Sequence, residues 1–162
     1  MNSVRSEIGK LENYVLGSSA AIITNIGLIV GLGSAHAGKG AILSGLLTIA
    51  LADNISDSLG IRLYKESEGY GERMSRLATL LNFLSRLVVS FTFIVIVYLF
   101  PIQQATIVAI VWALLLLTIV SYLITKEHGR NSLLGVIKRV VVAVIVIALS
   151  LFAGSITAGV VG

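Results

Sequence analysis

The chain of 162 residues is 56% hydrophobic and only 12% charged, with a mean hydropathy of +0.98, which excludes an ordinary soluble domain and indicates an integral membrane protein. It contains no cysteine, which excludes disulfides, thiolate metal sites and cysteine nucleophiles. Its net charge of +4 does not indicate nucleic-acid binding, because in a membrane protein basic residues mainly mark the loops that face the cytoplasm.

The apolar segments predict one all-α transmembrane domain, residues 1–162, with five spanning helices. A short amphipathic helix over residues 1–13 is expected on the membrane surface, since apolar residues recur there at helical spacing. The spans are predicted at about residues 14–35, 41–61, 79–100, 104–125 and 140–161. In the first span Gly27, Gly31 and Gly33 would let another backbone approach closely, so we expect a homodimer with this span near its two-fold axis.

Lysine and arginine are distributed unevenly between the two ends of these spans. Two basic residues precede the first span, four separate the second from the third, four separate the fourth from the fifth, and the opposite side receives only Lys39. Because basic loops stay in the cytoplasm, this pattern predicts a cytoplasmic N-terminus and a C-terminus outside. We expect a multi-pass protein of the cell membrane, namely a prokaryotic plasma membrane.

The second span contains two carboxylates, Asp53 and Asp57, near the middle of the bilayer. A charged aspartate at the centre of a spanning helix costs about 2.5 to 3.5 kcal/mol, so such residues are functional by default. Their spacing of four places both on one helix face. Together with an amide from the first span, such as Asn25, they would supply the hard oxygen ligands that divalent cations prefer. A proton can compete for the same carboxylates, which predicts exchange of a cation for protons.

Arg86 is predicted inside the third span at nearly the same depth as the two aspartates. One interpretation is that it neutralises an aspartate and the pair only fixes helix packing. In a mixed interpretation Arg86 pairs with Asp53 or Asp57, and the other aspartate binds cations. The sequence leaves both open, and Arg86 is a candidate counter-ion or tuning residue.

Glu66, Glu68 and Glu72 follow the second span and form a possible cytoplasmic entrance for cations. The spacings of Arg62 to Glu66 and of Glu72 to Arg76 are also those of ordinary helical ion pairs. No hydrolytic or redox constellation is present in the sequence, so we do not expect an enzyme.

The first span, YVLGSSAAIITNIGLIVGLGSA, and the second, LADNISDSLGIRLYKESE, resemble the vacuolar iron transporter family. The second helix of that family carries the pattern ADGISMxLGxYLxxKSE. The matching residues here are Ala52, Asp53, Ile55, Ser56, Leu59, Gly60, Ser67 and Glu68. The resemblance implies a dimeric five-helix fold that exports ferrous iron or manganese from the cytosol in exchange for protons.

Three departures from the family pattern bear on the substrate. Ala20 stands where the family has an aspartate in the first helix, and Asp57 stands where it has a methionine. A carboxylate in place of a thioether favours harder ions such as manganese, magnesium or calcium. The glutamate-rich cytoplasmic domain of many members is missing, so the chain resembles a short member.

The sequence therefore predicts a proton-coupled exporter of divalent transition-metal cations, iron or manganese, with no tightly bound cofactor. Its expected partners are a second copy, the lipid bilayer and the transported ions. The candidate metal ligands are Asp53, Asp57, Asn25 and Glu68. The alternatives are a non-transporting membrane scaffold or regulatory protein with a transporter-like fold, and a transporter of an organic solute.

Overall fold

The computed structural model describes the backbone of residues 2–127 and 132–161 and the side chains of residues 17–123 and 134–160. This part of the chain is all-helical, and it contains five helices long and apolar enough to cross a membrane, as predicted. The helices are α1 (Asn2–Ser34), α2 (Lys39–Ser67), α3 (Glu72–Leu99), α4 (Ile102–Glu127) and α5 (Ser132–Val161).

The ends of the helices follow from local backbone chemistry. α1 and α2 each end in a Schellman turn, with His36 at φ 57° and Gly69 at φ 78° in the left-handed position. The N–H of the next residue then bonds back to the last turn, at 2.9 Å for Ala37 and 3.1 Å for Tyr70. α3 ends because Pro101 requires an extended conformation of the preceding Phe100, whose ψ is 150°.

α1 is the central helix and packs against each of the other four. It runs without a break from Asn2, so residues 2–13 of the predicted amphipathic segment 1–13 are the beginning of α1, and their side chains lie outside the described residues. The fully buried residues Ile22, Ile26 and Ile29 of α1 join the central apolar core of the protein.

Of the glycine ladder of α1, which is formed by Gly27, Gly31 and Gly33, the first two residues pack against α5 of the same chain and the third faces Thr106 of α4. A methyl group on Gly27 would lie 3.2 Å from Cγ1 of Val146, and one on Gly31 would lie 3.6 Å from the carbonyl oxygen of Ser150. From the other side, a methyl group on Gly154 would lie only 2.3 Å from the carbonyl oxygen of Gly31. The ladder thus brings two helices of one chain together, and it gives no support to a dimer axis at α1.

α2 and α3 extend beyond their predicted spans, to Ser67 and from Glu72. Ion pairs one turn apart stabilise these polar helix ends: Arg62 Nε lies 2.8 Å from Glu66, and Arg76 pairs with Glu72. The second half of α2 packs against α3, which brings the acidic face of α2 to Arg86.

Candidate functional site

The middle of α2 is a π-helical segment, Ile49–Asp53, which ends at the first of the two aspartates. In this wider turn the backbone N–H of Asn54 bonds to the carbonyl of Ile49, five residues earlier. In an α-helix the backbone N–H of Asn54 would bond to the carbonyl of Ala50. Here that carbonyl accepts a hydrogen bond from Nδ2 of the Asn54 side chain instead, at 3.0 Å. The Asn54 side chain therefore compensates for the irregular turn, and its Oδ1 remains to bind another group.

Arg86 of α3 joins three side chains of α2. Its Nη2 lies 2.8 Å from Oδ2 of Asp53 and 2.7 Å from Oδ2 of Asp57, and its Nε donates to Oδ1 of Asn54 at 2.8 Å. The Arg86 side chain is 2% exposed, so these partners are needed to offset its desolvation. The sequence had left open which aspartate Arg86 meets, and the structure shows that it meets both.

This Asp–Arg–Asp cluster, formed by Asp53, Arg86 and Asp57, carries unequal charge. Two acidic side chains share one basic side chain, so a formal count with both carboxylates ionised gives −1. The aspartate side chains are 40% and 51% exposed, in contrast to the buried arginine. The guanidinium is therefore enclosed by protein while the carboxylates face outward from the chain.

The cluster lies at the middle of both helices that form it. α2 has 29 residues and α3 has 28, so each is about 42 Å long and exceeds a hydrocarbon core of about 30 Å. Centring the helices on that core puts Asp53 and Arg86 at the midplane, with Asp57 about one turn nearer the α2–α3 loop. This is the depth at which an unbalanced charge is most costly.

Asn25 binds a different part of α3. Its Nδ2 donates to the carbonyl of Ala21 at 2.7 Å and to Oγ of Ser90 at 3.0 Å. Its Oδ1 is buried and has no hydrogen-bond partner among the described residues. The hydrogen bonds found for Asn25 thus connect it to Ser90, one turn beyond Arg86, and not to the carboxylates.

The three glutamates lie at the α2–α3 loop. Glu66 and Glu72 bind Arg62 and Arg76 as described above, and Glu68 accepts from the hydroxyl of Tyr64 at 2.6 Å. Glu68 is eleven residues beyond Asp57, a distance of about 16 Å along a helix, so the two cannot share one ion in this arrangement. Within the described residues there is also no group of three or more His, Cys, Asp or Glu that could hold a metal.

A buried polar face on α3 was not predicted from the sequence. It consists of Ser75, Asn82, Ser85, Arg86 and Ser90. Its members bond across helices, as in the 3.2 Å bond from Oγ of Ser58 on α2 to Oδ1 of Asn82. The signal in the sequence was their recurrence at intervals of three, four and seven residues within an otherwise apolar helix. This face leads from the α2–α3 loop to the cluster.

No protein-family model matches the sequence, and neither a curated protein nor a solved structure matches the chain.

Proposed function

We propose that the protein is a proton-coupled exporter of divalent cations and that Asp53 and Asp57 are its principal cation ligands. The observation that carries this proposal is that two half-exposed carboxylates share one buried guanidinium at the middle of two spanning helices. Such a cluster attracts a cation, and carboxylate oxygens are the ligands that hard divalent ions prefer.

The guanidinium of Arg86 is a cation fixed to the protein, and it competes with the transported ion for the two carboxylates. To bind a divalent ion at full strength, the carboxylates must exchange at least one of their Arg86 contacts for the metal. The cluster has a charge of +1 with one divalent ion bound, and again +1 when both carboxylates are protonated. Exchange of one ion for two protons therefore leaves the charge at the midplane constant, which avoids an additional electrostatic barrier.

The resemblance of α2 to the vacuolar iron transporter family supports ferrous iron or manganese as the cargo. Asp57, at the position of the methionine in that family, favours the harder manganese. The distribution of lysine and arginine supports a cytoplasmic N-terminus, so the α2–α3 loop with Glu66, Glu68 and Glu72 would be the cytoplasmic entrance. The buried polar face of α3 would have to open to lead ions from there to the carboxylates.

The exposure of the cluster is the argument for proposing a homodimer. Carboxylates that are 40% and 51% exposed at the midplane would otherwise face lipid, which is energetically unfavourable. A second copy that covers this face of α2 would exclude lipid and bring a second acid pair to the site.

Flux into proteoliposomes tests the proposal. We expect the wild-type protein to move Mn²⁺ or Fe²⁺ into acid-loaded vesicles, and Asp53→Asn and Asp57→Asn each to lose most of this uptake while keeping the fold. Ser56→Asn is the matched control, because it adds an amide to the same exposed turn without changing the charge. Transport by both aspartate variants at the wild-type rate would contradict the assignment of the ligands.

The second candidate function is a non-transporting scaffold or regulator. It is favoured by the completeness of the Arg86 contacts, since three acceptors on α2 fix its position against α3. In that case the wild-type protein moves no divalent ion under any proton gradient, and Asp53→Asn alters only stability. The flux measurement therefore separates the two candidates.

A further inference from the structure

A groove opens between the second half of α2 and the first half of α3. It has a volume of about 290 Å³. Apolar side chains form most of its wall, namely Ile55 and Leu59 from α2 and Leu80 and Phe83 from α3. Arg62 and Arg76 also line it, one from each helix, on the side nearer the α2–α3 loop.

The depth of these arginines matches that of lipid phosphates. Arg62 is nine residues from Asp53, and Arg76 is ten residues from Arg86, each toward the α2–α3 loop. At about 1.5 Å per residue they lie about 14 and 15 Å from the midplane. Half of the hydrocarbon core is about 15 Å, so both guanidiniums are at its boundary with the headgroups. The apolar part of the groove extends from there toward the bilayer centre.

Both arginines retain donors for an anion. Among the described residues Glu66 is the only hydrogen-bond partner of Arg62, and it accepts from Nε. Glu72 accepts from Nη2 of Arg76. A guanidinium has five N–H donors in a fork that matches phosphate oxygens. Exposed ion pairs within one helix contribute little to stability, so they give way readily to a better anion.

We propose that this groove binds an anionic phospholipid, with one acyl chain between α2 and α3 and the phosphate on Arg62 and Arg76. Basic pockets between transmembrane helices bind anionic headgroups in this way. A zwitterionic lipid is disfavoured, because its ammonium group would lie near the two guanidiniums. A helix of a second copy would fill the apolar part but would give no acceptor to the remaining N–H donors of the two arginines.

Competition between two lipids tests the proposal. The purified protein is given equal amounts of phosphatidylglycerol and phosphatidylcholine with identical chains, and the retained lipid is counted by native mass spectrometry. We expect a preference of about tenfold for phosphatidylglycerol, given the attraction of each arginine for an anionic lipid. In Arg62→Gln/Arg76→Gln the preference should disappear. Arg73→Gln is the matched control, since Arg73 lies at the same end of α3 but outside the groove, and it should keep the preference.

Two further measurements define the occupant. Leu80→Trp, which fills the groove from an exposed position, should reduce retention of both lipids, while water-soluble glycerol phosphate should not displace bound phosphatidylglycerol. Displacement by glycerol phosphate would overturn the proposal in favour of a headgroup site without an acyl chain. Equal retention of the two lipids by the wild type would overturn it directly. Unchanged lipid retention in Leu80→Trp, with a loss of dimer mass, would assign the groove to a second copy instead.

Discussion

Arg86 illustrates how one side chain can determine the character of a membrane site. Its guanidinium takes up one unit of the negative charge of Asp53 and Asp57 and leaves one unit over. A second basic residue would have neutralised the pair completely, and no basic residue at all would have left two charges at the bilayer centre. In the proposed function, the single arginine offsets part of the cost of placing two acids inside the membrane and leaves the site able to attract a cation.

We expect Arg86→Ala to lower the free energy of unfolding by about 3 kcal/mol, because two carboxylates lose their counter-ion inside the membrane. Adding Asp57→Asn should restore part of the loss. The measurement is thermal unfolding in detergent of both single variants and the double variant. Arg73→Ala, at the exposed end of α3, is the control and should change stability by a few tenths of a kcal/mol. Strict additivity of Arg86→Ala and Asp57→Asn would show that the two residues do not interact.

The sequence was sufficient to predict that the aspartates share a face and that Arg86 lies at their depth. Spacing and helix length alone determine both features. It was not sufficient to predict the partner of Asn25, because the rotation of α1 relative to α3 decides whether that amide meets Ser90 or a carboxylate. Glu68 was grouped with the ligands by its motif, although the length of the intervening helix separates it from them.

At the scale of the helix, the π segment of α2 is the feature that no local pattern indicated. An extra residue in one turn costs backbone hydrogen bonding, and it persists where tertiary contacts favour it. Here Asn54 compensates by binding both the Ala50 carbonyl and Arg86. The irregular turn and the cluster therefore stabilise each other, and such coupling between two helices cannot be derived from the sequence of one.

The glycine ladder shows a second limit of sequence analysis. Small residues indicate close approach of a helix, but they do not say whether the helix belongs to the same chain. Here Gly31 of α1 packs against Gly154 of α5, so the closely approaching helix belongs to the same chain.

We expect Gly154→Ala to destabilise the protein by about 1 to 3 kcal/mol, since the added methyl group would lie 2.3 Å from the backbone oxygen of Gly31 and only a shift of α1 or α5 can relieve the clash. Gly159→Ala is the matched control on the same helix, because nothing lies within 4 Å of the methyl group that it adds. Thermal unfolding of the two variants checks the prediction. Equal melting temperatures would mean that α5 does not pack closely on α1.

At the scale of the whole molecule, the five helices do not share the core equally. Only 11% of the Leu134–Val160 span is buried in the chain, against 44% of Gly17–Ser34. α1 is thus enclosed by its neighbours, and α5 is left to face lipid or another protein. The sequence predicted the number of helices from hydropathy, but the central position of α1 depends on packing that hydropathy does not encode.

The absence of cysteine makes the topology directly testable. We expect Gly71→Cys, in the α2–α3 loop, to react with a membrane-impermeant thiol reagent only from the cytoplasmic side, and Gly38→Cys, in the α1–α2 loop, only from the outside. Both glycines have ordinary backbone angles, with φ of −62° and −63°, and an added side chain meets nothing within 4 Å. Labelling of intact cells and of inverted vesicles gives the result. The reverse pattern would place the N-terminus outside and contradict the proposed cytoplasmic entrance at the α2–α3 loop.

The polar face of α3 stops halfway across the membrane. Beyond Ser90 the buried residues of the helix are Phe93 and Val97, and both are completely enclosed. In the proposed exporter, an ion that enters from the α2–α3 loop and passes the carboxylates would next meet an apolar seal formed by Phe93 and Val97. If the protein is an exporter, its turnover rate would be set by how often that seal opens. A scaffold would keep the seal closed.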